Sequence, residues 1–248
     1  MSALGPLHAV EHGGRAPATV WLHHGLGSTA SWASFLPAAA EGRRAIAYDR
    51  RGFGDSPRDR GFTTALFDEG ADDLARLLRE RVDDGPAHLV GHSDGGTVAL
   101  LCAAREPSLV RSVVAVSAHV RGDPVTIGTL RCLGPPETWD EPMVSALRRD
   151  HGDDWQAVAA GWWRLWTAPE WESWNIEAEL PAVRCPVLVV HDRHDELGPP
   201  LHAEAVLAAV PHARASWWDT GRHDPHVSDR TRFTWELHEF WSDVERGG

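Results

Sequence analysis

Lysine is missing from this chain: all 24 of its basic residues are arginine. With alanine and glycine abundant, that reads as the codon bias of a GC-rich genome, so arginine by itself carries little functional weight. No long basic run occurs either, and the formal net charge is −12. An acidic surface repels nucleic acid and anionic membrane, so neither is an expected partner. Cysteine is scarce. Cys102, Cys132 and Cys185 are odd in number, widely spaced and form no C-x-x-C pair. A disulfide framework or structural zinc site is therefore not expected, and Cys102 and Cys185, in apolar surroundings, are expected to be buried packing residues. No apolar run approaches the length of a membrane span. The opening Met-Ser-Ala-Leu-Gly-Pro has no basic or apolar leader region, so a reduced, cytoplasmic setting is the expectation.

What is present reads as one large α/β unit. The 248 residues suffice for a single core domain, or for a core with a small insertion. Short apolar runs predict buried strands at 18–22, 45–48, 87–90, 112–116, 187–190 and 213–217. Helical patterns lie between most of them, as at 67–81, 97–105 and 201–209, and a closing helix is expected at 229–244. Strands alternating with helices imply a mostly parallel sheet covered on both faces, with ligands at the carboxyl ends of the strands. From 119 to 180 the alternation stops. That stretch holds helical pieces, five prolines and seven of the 13 tryptophans. The expected organisation is a core at 1–118 and 181–248 with a helical cap inserted at 119–180.

The strongest chemical signal is Gly91-His92-Ser93-Asp94-Gly95-Gly96, a G-x-S-x-G pattern between a predicted strand and a predicted helix. The turn is tight, and glycines two before and two after the serine avoid a side-chain clash. Ser93 is thereby presented at a helix N-terminus, where developing negative charge is favoured. A second signal, His23-His24-Gly25-Leu26-Gly27, follows the 18–22 strand. It can offer the Leu26 amide as an oxyanion donor, with the Asp94 amide as the second.

A serine hydroxyl needs a base. For a serine on such an elbow, the partners follow in the order acid, then histidine. Beyond the last strand lies Asp219-Thr220-Gly221-Arg222-His223-Asp224-Pro225-His226. His223 is the expected base and His226 its rival. The acid is expected after the 187–190 strand, where Asp192, Asp195 and Glu196 all occur. Asp195 leads, Asp192 is the alternative, and Asp123 after the preceding strand is a third option. The unused carboxylates are expected to be solvated loop charges.

With these residues assembled, the chain resembles the α/β-hydrolase superfamily over nearly its whole length. Asp49-Arg50-Arg51-Gly52-Phe53-Gly54-Asp55-Ser56 is similar to that family's D-x-R-G-x-G-x-S stretch, which implies bracing roles for Asp49 and Arg51. Pro186–Asp195 resembles P-x-L-x-x-x-G-x-x-D, which places the acid at Asp195, although Asp192 stands where the family usually has glycine. A closer likeness is to the valacyclovir hydrolase-like (biphenyl hydrolase-like) esterases. It rests on S-D-G-G at 93–96 and on Leu180-Pro181-Ala182-Val183-Arg184-Cys185-Pro186. That likeness implies that Asp94 receives the amino group of aminoacyl esters. The serine-elbow wording of meta-cleavage-product hydrolases is not seen.

Trp155, Trp162 and Trp166 recur at helical spacing. They are expected to pack the cap onto the core, or, for Trp162 and Trp166, to line a substrate pocket. The function expected is hydrolysis of small carboxylic esters, aminoacyl esters among them, through an acyl-enzyme on Ser93, with no metal or organic cofactor implied. The same residues would serve a C–C hydrolase, lactonase, thioesterase or perhydrolase. A non-catalytic ligand receptor is the reading from another class. Fold alone does not choose among them, and the sequence gives no oligomeric state.

Overall fold

The computed structural model describes residues 5–14, 17–39 and 41–247. Among these residues seven strands form one sheet: β1 (Ala9–Gly13), β2 (Ala18–Leu22), β3 (Arg44–Tyr48), β4 (Ala87–His92), β5 (Val110–Val116), β6 (Val187–Asp192) and β7 (Ala213–Trp218). Their order is β1-β3-β2-β4-β5-β6-β7. β1 runs antiparallel to β3, and every other pairing is parallel. The helices are α1 (Leu36–Ala39), α2 (Leu66–Arg81), α3 (Asp94–Arg105), α4 (Pro124–Leu133), α5 (Glu141–His151), α6 (Trp155–Thr167), α7 (Leu201–Ala209), α8 (Pro225–Ser228) and α9 (Arg230–Gly247).

Side chains alternate across a strand, so a sheet covered on both faces needs apolar residues at every position. Val20, Leu22, Leu89, Val113, Ala115, Val187 and Val189 enter one core, with α2, α3 and α7. Their neighbours Trp21, Val90, Val114, Val116, Leu188 and Val190 enter the other, with Phe233, Leu237, Phe240 and Trp241 of α9. This two-sided burial is why the central strands read as unbroken apolar runs. β1 escaped that reading. Its Ala-Val-Glu-His-Gly sequence is half-buried to exposed, as befits an antiparallel edge.

The segment between β5 and β6 carries α4, α5 and α6. Among its described residues the sole β-type pairing is a bridge between Arg121 and Asn175. Beside it, the Gly122 amide donates to the Trp174 carbonyl and the Ile176 amide to the Val120 carbonyl. The segment thus leaves and rejoins the core through one hydrogen-bonded neck. Trp166 and Trp171 tie it into the larger core, and Trp139, Val144, Leu147 and Ala159 form a smaller cluster within it.

Candidate active site

Ser93 lies between β4 and α3 at φ 53, ψ −121, a left-handed backbone that a non-glycine residue adopts only under constraint. The crossing is crowded. A Cβ on Gly91 would fall 2.3 Å from the Gly95 carbonyl oxygen, and one on Gly95 would fall 2.4 Å from the Leu22 carbonyl oxygen. Neither backbone has room to retreat, so both glycines are required. Asp94 opens α3, and the first amides of a helix lack an intrahelical acceptor. Its N–H is free to serve a ligand beside Ser93.

The structure brings Ser93, His223 and Asp195 together in one hydrogen-bonded run. His223 Nε2 is 2.9 Å from Ser93 Oγ, and His223 Nδ1 is 2.8 Å from Asp195 Oδ2. An ionised carboxylate only accepts, so Nδ1 carries the imidazole proton and Nε2 accepts from the serine hydroxyl. Asp195 Oδ1 accepts the amides of Leu197 and Gly198, each at 2.9 Å. Burial alone would raise the Asp195 carboxyl, but the bond to His223, its positive charge when protonated, and the Leu197 amide outweigh it. The group stays below the usual carboxylate range. His92 Nε2 donates to the His223 carbonyl at 2.9 Å, fixing the backbone that carries the imidazole.

Asp192 and Asp123 are neither solvated nor in contact with His223, which corrects the expectation for both, whereas Glu196 is exposed. Asp192 is fully buried. Its oxygens accept the Thr220 hydroxyl at 2.7 Å, the His194 amide at 2.8 Å and the amides of Thr220 and Gly221. A carboxylate at the usual glycine position therefore ties the loop after β6 to the loop that bears His223. Asp123, also buried, caps α4 through the amides of Val125 and Thr126 and meets His202 Nε2 at 3.0 Å. His226 packs its ring among Trp32, Phe35, His92 and Phe233. Burial pushes it down to about 3, a neutral packing residue.

Ser93 and His223 open onto a cavity of about 370 Å³. Leu26, Leu130, Leu147, Trp162, Trp166 and Val227 supply apolar wall, while Arg149, Asp150 and Asp224 add charge. Trp166 also packs against Phe67, His119 and Trp171, so it lines the cavity and packs against the core at once. Trp155 belongs instead to the small cluster inside the 119–180 segment.

The expectation for the Asp94 carboxylate needs correction. The side chain is fully buried and does not line the cavity. Its Oδ2 accepts from Arg50 Nη2 at 3.3 Å and Trp162 Nε1 at 3.1 Å. Burial still holds the carboxyl above its ordinary range, with Arg50 and Trp162 offsetting part of the rise. Arg50 is the cation beside this carboxylate. The Arg50 partner comes from 44 residues away, between the bracing residues Asp49 and Arg51.

Those two residues brace the fold. Asp49 accepts the amides of Thr29 and Asp55 and meets His8 Nδ1 at 2.8 Å. Arg51 pairs with Asp59 and Asp73. Among the described residues, His8, Asp49 and Asp55 form the one cluster with metal-ligand spacing, and both Asp49 oxygens are already committed to protein donors. Cys102 and Cys185 are buried, and Cys132 is exposed.

Residues 18–160 match the family described as alpha/beta hydrolase fold. The chain belongs to that family. It is 30% identical over 202 residues to the serine hydrolase BPHL of Mus musculus, covering 79% of this chain and 68% of that protein. It is 27% identical over 251 residues to a putative carbamate hydrolase RutD of Stutzerimonas stutzeri, covering 92% and 93%. Among solved structures, a putative non-heme bromoperoxidase BpoC from Mycobacterium tuberculosis superposes with a TM-score of 0.78 at 22% identity, covering 97% of each chain. An enol-lactonase from Burkholderia xenovorans gives 0.74 at 22% identity, covering 95% of this chain and 96% of that one. These two likenesses show the fold. Family membership and the sequence relatives support hydrolytic activity. None of the described helices is long and apolar enough to cross a membrane.

Proposed function

We propose that this protein is a serine hydrolase that cleaves small, uncharged carboxylic esters through an acyl-enzyme. The observation that carries the reading is the unbroken Ser93–His223–Asp195 hydrogen-bond run at the wall of a largely apolar cavity. His223 takes the Ser93 proton as Oγ attacks the acyl carbon, then returns it to the leaving alkoxide. In the second half a water gives its proton to His223 and attacks the acyl-enzyme, and His223 passes that proton to Ser93 Oγ as the acid is released. Asp195 keeps the proton on Nδ1 and stabilises the imidazolium without taking that proton.

The tetrahedral oxyanion is assigned to the amides of Asp94 and Leu26. The Leu26 amide has only a long contact, 3.4 Å to His24 Nδ1, which an oxyanion would displace. Burial lowers the His24 ring to about 4, so it stays a neutral acceptor at neutral pH. Preorganised donors of this kind are worth about 3–4 kcal/mol each in acyl transfer. Residues 119–180 act as the cap, supplying Trp162 and Trp166 as an aromatic wall for the acyl or alcohol group. Apolar wall favours a neutral, hydrophobic ligand, with a few polar groups setting its orientation.

The test is a fluorophosphonate probe followed by a panel of p-nitrophenyl esters, thioesters, lactones and carbamates. Labelling of Ser93 in the wild type, its loss in Ser93→Ala, and fastest turnover of short apolar esters are expected. Ester turnover by folded Ser93→Ala would overturn the mechanism, and faster turnover of another bond type would reassign the substrate. Tight ligand binding without turnover would make the protein a receptor.

A further inference from the structure

The Asp94 carboxylate is a junction between three parts of the molecule. From the core, Arg50 Nη2 reaches both Asp94 Oδ2, at 3.3 Å, and the carbonyl of His24, at 3.2 Å. His24 immediately precedes Gly25 and Leu26, so one guanidinium nitrogen holds the loop of one proposed oxyanion donor and the side chain of the other. The Arg50 amide donates to His23 Nε2 at 2.9 Å, anchoring the start of the same loop. From α6, Trp162 Nε1 donates to the same Asp94 oxygen at 3.1 Å. Gly25 shows how tightly these parts meet. A Cβ there would fall 2.2 Å from Trp162 Nε1 and 2.8 Å from Asp94 Oδ2. The indole N–H therefore passes directly over the Gly25 backbone to reach the carboxylate.

We propose that Trp162 is a positioning residue: its indole N–H, through Asp94 and Arg50, holds the loop bearing the Leu26 amide against the elbow bearing the Asp94 amide. Both donors then face one oxyanion only when α6 is seated. Asp94 serves catalysis through its backbone, while its carboxylate locks that backbone to the neighbouring loop. The bond is stiff because both acceptor and bridge are buried and charged, and charge-assisted hydrogen bonds are the strong ones. Trp162 also lines the cavity, so a ligand that seats this ring seats α6 and the two donors with it.

This inference rests on the acyl-transfer reading, and the experiment separates the two. Trp162→Phe keeps an aromatic wall but removes the donor. Donors displaced by even a fraction of an ångström stabilise the oxyanion less, so kcat should fall about 10- to 100-fold with KM nearly unchanged. Affinity for a trifluoromethyl ketone, which adds Ser93 to give a tetrahedral oxyanion, should fall by the same factor. Trp166→Phe is the control on the same helix and cavity. Its Nε1 has no partner among the described residues, so its effect should fall on KM. Gly25→Ala, whose methyl would lie in the path of the bond, should repeat the Trp162→Phe pattern. A wild type that the fluorophosphonate labels, with Trp162→Phe raising KM alone and leaving ketone affinity intact, would overturn the positioning role only. A wild type that is not labelled would overturn both readings.

Discussion

Asp192 and Asp195 grip two ends of one segment: Asp195 holds the His223 ring, while Asp192 holds the backbone of Thr220 and Gly221 that leads to it. Their replacements should therefore fail differently. Asp195→Asn removes the acceptor that fixes the imidazole tautomer, and kcat should fall about 10⁴-fold in a protein of near-normal stability. Asp192→Asn replaces a buried acceptor of three amides and a hydroxyl by one that must also place two N–H donors. It should lower Tm, with an unfolding cost of about 1–3 kcal/mol and a much smaller loss of turnover. Steady-state kinetics and thermal unfolding of the two variants decide this. The larger catalytic loss at Asp192 would move the acid.

The two histidines beyond β7 separate in the same way. His223→Ala should cost about 10⁴-fold or more in kcat. His226→Phe should retain most activity, because the aromatic cage of Trp32, Phe35 and Phe233 accepts a phenyl ring. Esterase assays on both variants check the assignment, and the reverse pattern would make His226 the base.

Acid should destabilise the fold through its buried imidazoles. Burial holds His24 and His88 down to about 4 and His226 down to about 3. Unfolding restores each to about 6.5. Between those values the unfolded chain binds more protons than the folded one, so stability is full above about pH 6.5 and is lost as pH falls towards 4. Each ring contributes a slope of at most about 1.4 kcal/mol per pH unit in that window. Tm measured from pH 7.5 to 4.5 should fall, and the fall should be shallower in His226→Phe.

A free amine on the substrate should bring little advantage. Arg50 already neutralises the Asp94 carboxylate, which does not line the cavity. The p-nitrophenyl esters of valine and of 3-methylbutanoic acid should differ by less than about tenfold in kcat/KM, under about 1.4 kcal/mol. A larger preference for the valine ester would mean that the cavity rearranges to expose Asp94, or that Asp150 receives the ammonium.

Much of this was legible in the chain because the determining physics is local. Each central strand is buried on both faces, so its sequence is apolar throughout, and the elbow glycines are dictated by a turn of five residues. β1 was illegible because an exposed edge imposes no such pattern. α3 begins at Asp94 rather than 97 because Gly95 and Gly96 hide its first turn from any propensity argument. The ranking of Asp195 over Asp192 came from the resemblance of 186–195 to the family's segment, but the work of Asp192 was not legible, since two of its partners, Thr220 and Gly221, lie 28 and 29 residues away. The pairing of Asp94 with Arg50 and Trp162 depends on three segments meeting in space, and no stretch of sequence contains it.

The neck at Arg121 and Asn175 has a consequence for how the molecule can diversify. The two chain ends entering the core there lie side by side and are hydrogen-bonded to each other. A replacement of any length between them meets the same two anchors, and lengthening a closed loop costs little entropy, about 0.6 kcal/mol per doubling. The Ser93, Asp195 and His223 loops all lie outside the replaced stretch. Much of the pocket wall, Leu130, Leu147, Trp162 and Trp166 among it, thus lies on a stretch of chain that can be exchanged apart from those three loops. A graft would have to rebuild the contacts it makes with the core loops, the Trp162 indole on Asp94 and the His151 ring on the Leu26 carbonyl and the Gly54 amide among them.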